Sequence, residues 1–196
     1  MVSSVDVSTA GKRISDWVLA IAALPVFISV GVIVAVAVRV TSPGPILYWS
    51  QRVGEHGRLF LMPKFRTMRV DTPAVATHLL ENCDAYLTPI GAFLRKTSLD
   101  ELPQIWSILA GDMSFVGPRP ALFNQFDLIE LRRKRGVDAL MPGLTGWAQV
   151  NGRDDLAIPE KVRFDSEYLA RQSVRFDMYI LLLSIAKVLR REGVSH

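Results

Sequence analysis

Trp17–Val38, WVLAIAALPVFISVGVIVAVAV, is a run of 22 residues without a charge. An α-helix rises about 1.5 Å per residue, and about 20 apolar residues cross the hydrocarbon core of a bilayer. The run therefore predicts a membrane helix. Lys12 and Arg13 resemble the basic start of a secretory signal, but no small-residue cleavage site closes the run before Arg39, so the helix reads as uncleaved. Pro25 stands nine positions into the run, where it removes one backbone hydrogen bond and kinks the helix. Basic residues flank both ends: Lys12 and Arg13 before, Arg39, Arg52 and Arg58 after. A count of positive charges assigns no orientation. Two topologies stay open on the residues, a kinked single span and a re-entrant helix with both ends on one face.

The composition agrees with a membrane setting. The 196 residues suffice for one domain with a core. Lys and Arg number 23 against 19 Asp and Glu, a net charge of +4, with a sequence pI of about 9.5 and a positive mean hydropathy of +0.24. A cationic face on a membrane-associated protein fits better than a nucleic-acid binder, for which no motif is present. The 49% apolar content excludes a disordered chain. One cysteine, Cys83, excludes an intrachain disulfide and a cysteine-based zinc site. His56, His78 and His196 have no partner at metal-motif spacing, and there is no Gly-x-Ser-x-Gly elbow. Zinc enzymes and Ser-His-Asp or Cys-His chemistry find no support.

Beyond the helix, Thr41-Ser42-Pro43-Gly44-Pro45 is a breaker cluster. Two β-prone runs, Ile46–Val53 and Arg58–Met68, flank the turn signal Gly54-Glu55-His56-Gly57 and predict a β-hairpin. Pro63 places its second strand at an edge. Asp71–Thr88 reads as a loop with a short helix at Ala74–Asn82. Helices are predicted at Leu102–Leu109, Ala121–Arg135 (ending at Gly136) and Glu160–Gln172. Phe176–Arg191 is apolar, then basic, and too short to span. It reads as an interfacial helix or as one packed on the core. The fold class is mainly α with a small β-hairpin. An N-terminal re-entrant membrane helix in residues 1–40 joins a domain of residues 41–196 that carries interfacial amphipathic helices.

Four stretches can carry chemistry. Asp100 and Glu101 precede Pro103, which suits the first position of a helix, so both carboxylates would sit just before a helix N-terminus. Ser98-x-x-Glu101 reads alternatively as a capping box. An ionised aspartate is a competent nucleophile toward phosphorus, and adjacent acids can share a Mg²⁺. A decorated helix cap explains the pair as well. In Gly117-Pro118-Arg119-Pro120 two prolines fix one guanidinium, a form suited to phosphate or carboxylate, or simply a rigid turn. Pro142–Arg153 is a glycine-rich loop, and close approach to a ligand or a structural loop explains its glycines equally. Lys64 and Arg66 are spaced to share one strand face and could hold a diphosphate; a solvated edge strand is the plain alternative.

The ordered series Thr-Ser-Pro-Gly-Pro, Gln-Arg-Val-Gly, Lys-Phe-Arg-Thr-Met, Leu-Arg-Lys-Thr-Ser-Leu-Asp-Glu-Leu-Pro-Gln, Gly-Asp-Met-Ser-Phe-Val-Gly-Pro-Arg-Pro and Pro-Gly-Leu-Thr-Gly-Trp-Ala-Gln-Val-Asn-Gly-Arg closely resembles the bacterial sugar transferases. These are the monotopic polyprenyl-phosphate phosphoglycosyl transferases. The resemblance runs from about Lys12 to about Arg190 and corresponds to their minimal form. It implies transfer of a sugar-1-phosphate from a UDP-sugar to polyprenyl (undecaprenyl) phosphate, with release of UMP and with Mg²⁺. The setting it implies is the cytoplasmic face of the bacterial inner membrane, at the first membrane step of O-antigen, capsule or exopolysaccharide synthesis. Asp100 matches the nucleophile that forms a phosphosugar-enzyme, and Glu101 the second acid, in metal or proton handling. Lys64, Arg95, Arg119 and Arg153 fall on basic, phosphate-binding positions. Asp165, with Tyr168, is a weaker match to a family carboxylate, and Pro25 fits the kink of a re-entrant helix. Leu24, Met62-Pro63, Ser107 and Ala110 depart from the usual residues. A catalytically silent scaffold of the same fold and a UDP-sugar hydrolase are the alternatives. An oligomer is compatible with the apolar helix, but no motif indicates one.

Overall fold

The computed structural model of the chain describes residues 4–72, 83–152 and 156–190. The apolar run forms α1, Ser4–Thr41, a single helix with Pro25 inside it. Ser29 Oγ donates to the Pro25 carbonyl at 2.8 Å, a back-bond that favours bending. One stripe faces inward at helical spacing. Ala20 and Phe27 join a core built with Ile105, Ile108, Met113 and Ile180, and Val34 and Val38 meet Phe65 and Leu94 in a second cluster. The rest of α1 is unusually bare. Only 11% of its most apolar 18-residue stretch is buried, and Ile21, Ile33 and Val40 are largely exposed. Such an uncovered apolar surface suits lipid.

Lys12, expected as a flanking charge, lies inside the protein at 7% exposure. Its Nζ donates to the Val116 carbonyl (2.8 Å), the Tyr168 hydroxyl (3.1 Å) and Asp177 Oδ2 (2.7 Å). One turn on, Asp16 Oδ1 accepts from Ser114 Oγ and the Phe115 amide, each at 3.0 Å. Burial of such charges requires partners of this quality.

The predicted hairpin is present as antiparallel β1, Leu47–Val53, and β2, Leu59–Phe65, with Trp49 opposite Pro63. β2 lies at the sheet edge, as Pro63 requires. The other side of β1 pairs with β4, Ala121–Leu122. The helix expected from Ala121 therefore starts later, as α4 (Phe126–Lys134), because the first residues of that run complete a sheet. Gly136, at φ +69°, ends it as expected.

A second, two-stranded parallel sheet was not foreseen. β3, Ser114–Val116, pairs with β5, Gly143–Thr145, inside the glycine-rich stretch read as a loop. A side chain at Gly143 would overlap the Gly117 amide, and one at Gly146 the Gly117 carbonyl. These glycines serve backbone-on-backbone packing. Helix α5, Trp147–Asn151, follows, with Trp147 packed on Phe176. Helices α6, Ile158–Arg171, and α7, Val174–Arg190, close the fold. On α7, Phe176, Asp177 and Ile180 are buried, whereas Tyr179, Leu182 and Ile185 are exposed. It is thus a core helix on one face and a bare apolar surface on another. The helix expected at Ala74–Asn82 lies outside the described residues.

The Lys12–Asp177 pair generates a test. Lys12→Met leaves a buried carboxylate unpaired and should cost about 3–5 kcal/mol. The double variant Lys12→Met/Asp177→Leu should recover most of that loss. Denaturant unfolding in detergent reads both values.

Candidate active site

Helix α2, Gly91–Thr97, ends at Ser98, whose left-handed backbone (φ +56°) turns the chain into a 3-10 turn, Leu99–Gln104. That turn continues directly into α3, Ile105–Ala110. Pro103 therefore does not open a helix as expected: the 3-10 turn begins at Leu99 and α3 only at Ile105, and Asp100 and Glu101 lie within the turn. Pro103 is accommodated near the joint where the 3-10 turn passes into α3. Ser98 makes no side-chain cap, and the Glu101 carboxylate faces cations, so no capping box forms.

Glu101 Oε1 accepts from Lys64 Nζ of β2 at 2.9 Å and from Arg119 Nη2 at 2.8 Å. Burial alone would raise the Glu101 pKa. The charges of Arg119 and Lys64, and their hydrogen bonds, outweigh it and hold the carboxyl well below the usual range. Asp100 is 8% exposed, with no hydrogen bond to its carboxylate among the described residues. Burial raises its pKa from 3.8 to about 6, reinforced by Glu101 and opposed by Lys64, Arg119 and Arg95. The two neighbours are pushed in opposite directions, a pattern that marks functional sites. Glu101 is a fixed anion; Asp100 is an unengaged one.

The cationic candidates divide. Lys64, Arg95 and Arg119 gather at the carboxylates, with Arg95 Nε oriented by Thr67 Oγ1 at 3.0 Å. Arg66 does not join them. It is 5% exposed, lies beyond the end of β2, and donates to the Pro43 carbonyl (2.6 Å) and the Ser42 carbonyl (2.9 Å) just after α1. The shared strand face expected for Lys64 and Arg66 is not formed, because the chain leaves the strand at Phe65 and Arg66 fastens the end of the long helix. Arg153 lies outside the described residues.

Arg119 is set by its backbone. The Val116 carbonyl accepts from Lys12, Pro118 from the Gly143 amide (2.9 Å), Arg119 from Arg132 Nη1 (2.8 Å) and Pro120 from Arg52 Nη1 (3.1 Å). Asp165, 1% exposed, accepts from Arg132 Nε and Nη2 at 3.0 and 2.8 Å. Asp165 therefore acts through Arg132 on the loop that carries Arg119 and does not face the Asp100–Glu101 pair directly. Sequence reading missed Arg132, Arg52, Thr67 and Lys12. Arg132 hides in the run Arg132-Arg133-Lys134-Arg135, where only the helical phase distinguishes the buried member.

Among the described residues no three His, Cys, Asp or Glu side chains converge as a metal site. Two adjacent carboxylates, one of them engaged by two cations, are too few for a protein-only cage. They do fit a Mg²⁺ that brings phosphate oxygens and keeps water ligands.

Comparison with known sequences agrees with this arrangement. The family model described as bacterial sugar transferase matches residues 7–191. The UDP-glucose:undecaprenyl-phosphate glucose-1-phosphate transferase of Escherichia coli (strain K12) is 43% identical over 90% of this chain and 39% of its own length. The undecaprenyl-phosphate galactose phosphotransferase of Salmonella typhimurium is 40% identical over 76% of this chain and 34% of its own. The exopolysaccharide production protein ExoY of Rhizobium meliloti is 34% identical over 93% of this chain and 87% of its own. A match over nearly the whole chain places the chain in the bacterial sugar transferase family. It spans between a third and two fifths of the length of the first two relatives.

The opposed carboxylates generate a stability test. Because the Asp100 pKa is raised on folding, ionising it disfavours the folded state, fully above about pH 6 and not at all below about 3.8. Asp100→Asn should therefore raise the unfolding midpoint at pH 7.5, with the gain fading toward pH 4. Glu101→Gln should lower it at pH 7.5, since Lys64 and Arg119 lose their counter-charge. Thermal unfolding at both pH values decides.

Proposed function

We propose that the protein transfers a sugar-1-phosphate from a UDP-sugar to polyprenyl phosphate, with Asp100 as the nucleophile. The observation that carries this reading is the buried, unengaged Asp100 carboxylate with Lys64, Arg95 and Arg119 around it. A nucleophilic anion must meet an anionic diphosphate, and fixed cations remove the repulsion at no reorganisation cost. The names of the Escherichia coli and Salmonella relatives supply the substrate classes: UDP-glucose for the first, undecaprenyl phosphate for both.

In the first half-reaction an Asp100 carboxylate oxygen bonds to the β-phosphorus of the donor. The bond from that phosphorus to the bridging oxygen breaks, and UMP departs with that oxygen. In the second, an oxygen of the lipid phosphate bonds to the same phosphorus and the bond to Asp100 breaks. This restores the carboxylate and forms the polyprenyl-diphosphate-sugar. Lys64 and Arg119 stay positioned throughout by Glu101, Arg119 also by the carbonyl clamp of Arg132 and Arg52. Asp100 and Glu101 would hold Mg²⁺ together with the substrate phosphates, and the ion would supply further charge neutralisation there.

We further propose that α1 enters and leaves the bilayer on one face. Near its start, Lys12 and Asp16 are fastened to β3 and α7; just past its end, Arg66 holds Ser42 and Pro43. Thirty residues of helix separate these anchors, about 45 Å, more than the hydrocarbon core is thick. One domain holding both points favours a helix that bends at Pro25 and returns. The exposed apolar surfaces of α1 and α7 would then rest in the cytoplasmic leaflet.

The reaction is tested by UMP release from UDP-sugars with Mg²⁺ in nanodiscs, with and without undecaprenyl phosphate. Turnover should require the lipid and vanish in Asp100→Asn. Its kcat/KM should fall about tenfold per pH unit as pH drops below about 6. Release without lipid would indicate a hydrolase, and no release from any donor a scaffold. For topology, Ser3→Cys in a Cys83→Ser background should resist a membrane-impermeant maleimide in intact cells and react after lysis. Labelling of intact cells would establish a spanning helix.

A further inference from the structure

Pro118 and Arg132 form part of the wall of a cavity of about 450 Å³ whose other sides come from the hairpin turn and the segment after α4. We propose that this cavity receives the nucleoside of the nucleotide-sugar donor. The inference rests on the donor assignment above and adds where the non-reacting end of that donor is read.

The argument starts from connectivity. Arg119 donates to Glu101, its preceding residue Pro118 lines the cavity, and its carbonyl is held by Arg132, a second lining residue. The cavity thus lies beside the backbone of the residue whose guanidinium faces the reacting carboxylates. In a nucleotide-sugar the sugar is joined to the phosphorus that Asp100 would attack, so it must lie at Asp100 itself. The nucleoside stands one phosphate further away. A cavity one residue removed from Arg119 matches the second position better than the first.

Its chemistry agrees. Ligand cavities of about 300–1,000 Å³ are mostly apolar with a few polar groups. Here Val53 and Ala121, a β1–β4 pair, and Leu140 offer apolar surface for a base. His56, Arg133 and Asp138 stand among them as polar groups with no hydrogen-bond or ion-pair partner among the described residues. Asp138 can accept from the N–H and hydroxyl groups of a nucleoside; His56 and Arg133 can donate to its carbonyls. Of its two arginines, Arg132 is held by Asp165 and the Arg119 carbonyl, which leaves Arg133 beside the carboxylate of Asp138, so the cavity is less suited to a diphosphate than the three cations at Glu101. His56 is also held at φ +53° in the turn, an uncommon conformation for a residue other than glycine.

The test uses the full chain in nanodiscs and 4-thio-UDP as a photo-crosslinking probe. Crosslinks read by peptide mapping should fall in residues 53–57 or 137–142 and be displaced by UDP. Asp138→Asn, at a half-exposed carboxylate, should raise the KM for the UDP-sugar about tenfold with kcat and the KM for polyprenyl phosphate within twofold. Leu140→Trp should block crosslinking. If it fails to fold, Asp138→Asn still decides. Crosslinks elsewhere, or an unchanged donor KM in Asp138→Asn, would overturn the proposal while lipid-dependent UMP release left the reaction standing. Crosslinking at the cavity without UMP release would support the nucleoside site and remove the reaction.

Discussion

The shared oxygen of Glu101 organises the molecule. Lys64 reaches it from the hairpin and Arg119 from the loop after β3, so one carboxylate atom in the 3-10 turn ties together three segments distant in sequence. Two cations near each other repel, and each would otherwise drift toward solvent. A partly buried anion between them makes the arrangement stable and leaves the adjacent Asp100 unclaimed. The chain therefore separates two duties that a single carboxylate could not perform: one acid holds the cations and the other stays available.

Rigidity at that point is supplied by the backbone of residues 116–120. Its carbonyls are taken by Lys12, Gly143, Arg132 and Arg52, and its glycine sits directly on the backbone of β5. Two of these clamps tie the loop to helices elsewhere in the fold. Lys12 belongs to the long apolar helix, and Arg132 is held by Asp165 of α6. The same contacts that seat the helix in the domain thus also position the loop that presents Arg119.

Much of this was legible in the residues. The 22-residue uncharged run predicts the long helix, two β-prone runs around Gly54–Gly57 predict the hairpin, and Pro63 predicts its edge. The Asp-Glu pair and three of its cations were visible as motifs. Other features depend on distant partners and leave no local signal. β4 exists because β1 needs a neighbour, and β3 and β5 because Gly117 and Gly143 meet. Arg66 was misplaced because strand spacing assumes that the strand continues, and it stops at Phe65. Lys12 reads as a membrane-flanking charge until Asp177 and Tyr168, over 150 residues away, are brought to it.

Three cations facing two carboxylates have a consequence for the order of events. On the proposed reading, the resting cluster of Lys64, Arg95, Arg119, Asp100 and Glu101 sums to one positive charge. Once Asp100 carries the phosphosugar, its carboxylate charge has gone and a phosphodiester-like charge of the same size stands there instead. The lipid phosphate then approaches a cluster of the same net charge as the one that met the donor. One invariant set of side chains can serve two successive anionic visitors, and no switch in protein conformation is needed to reset the field between them.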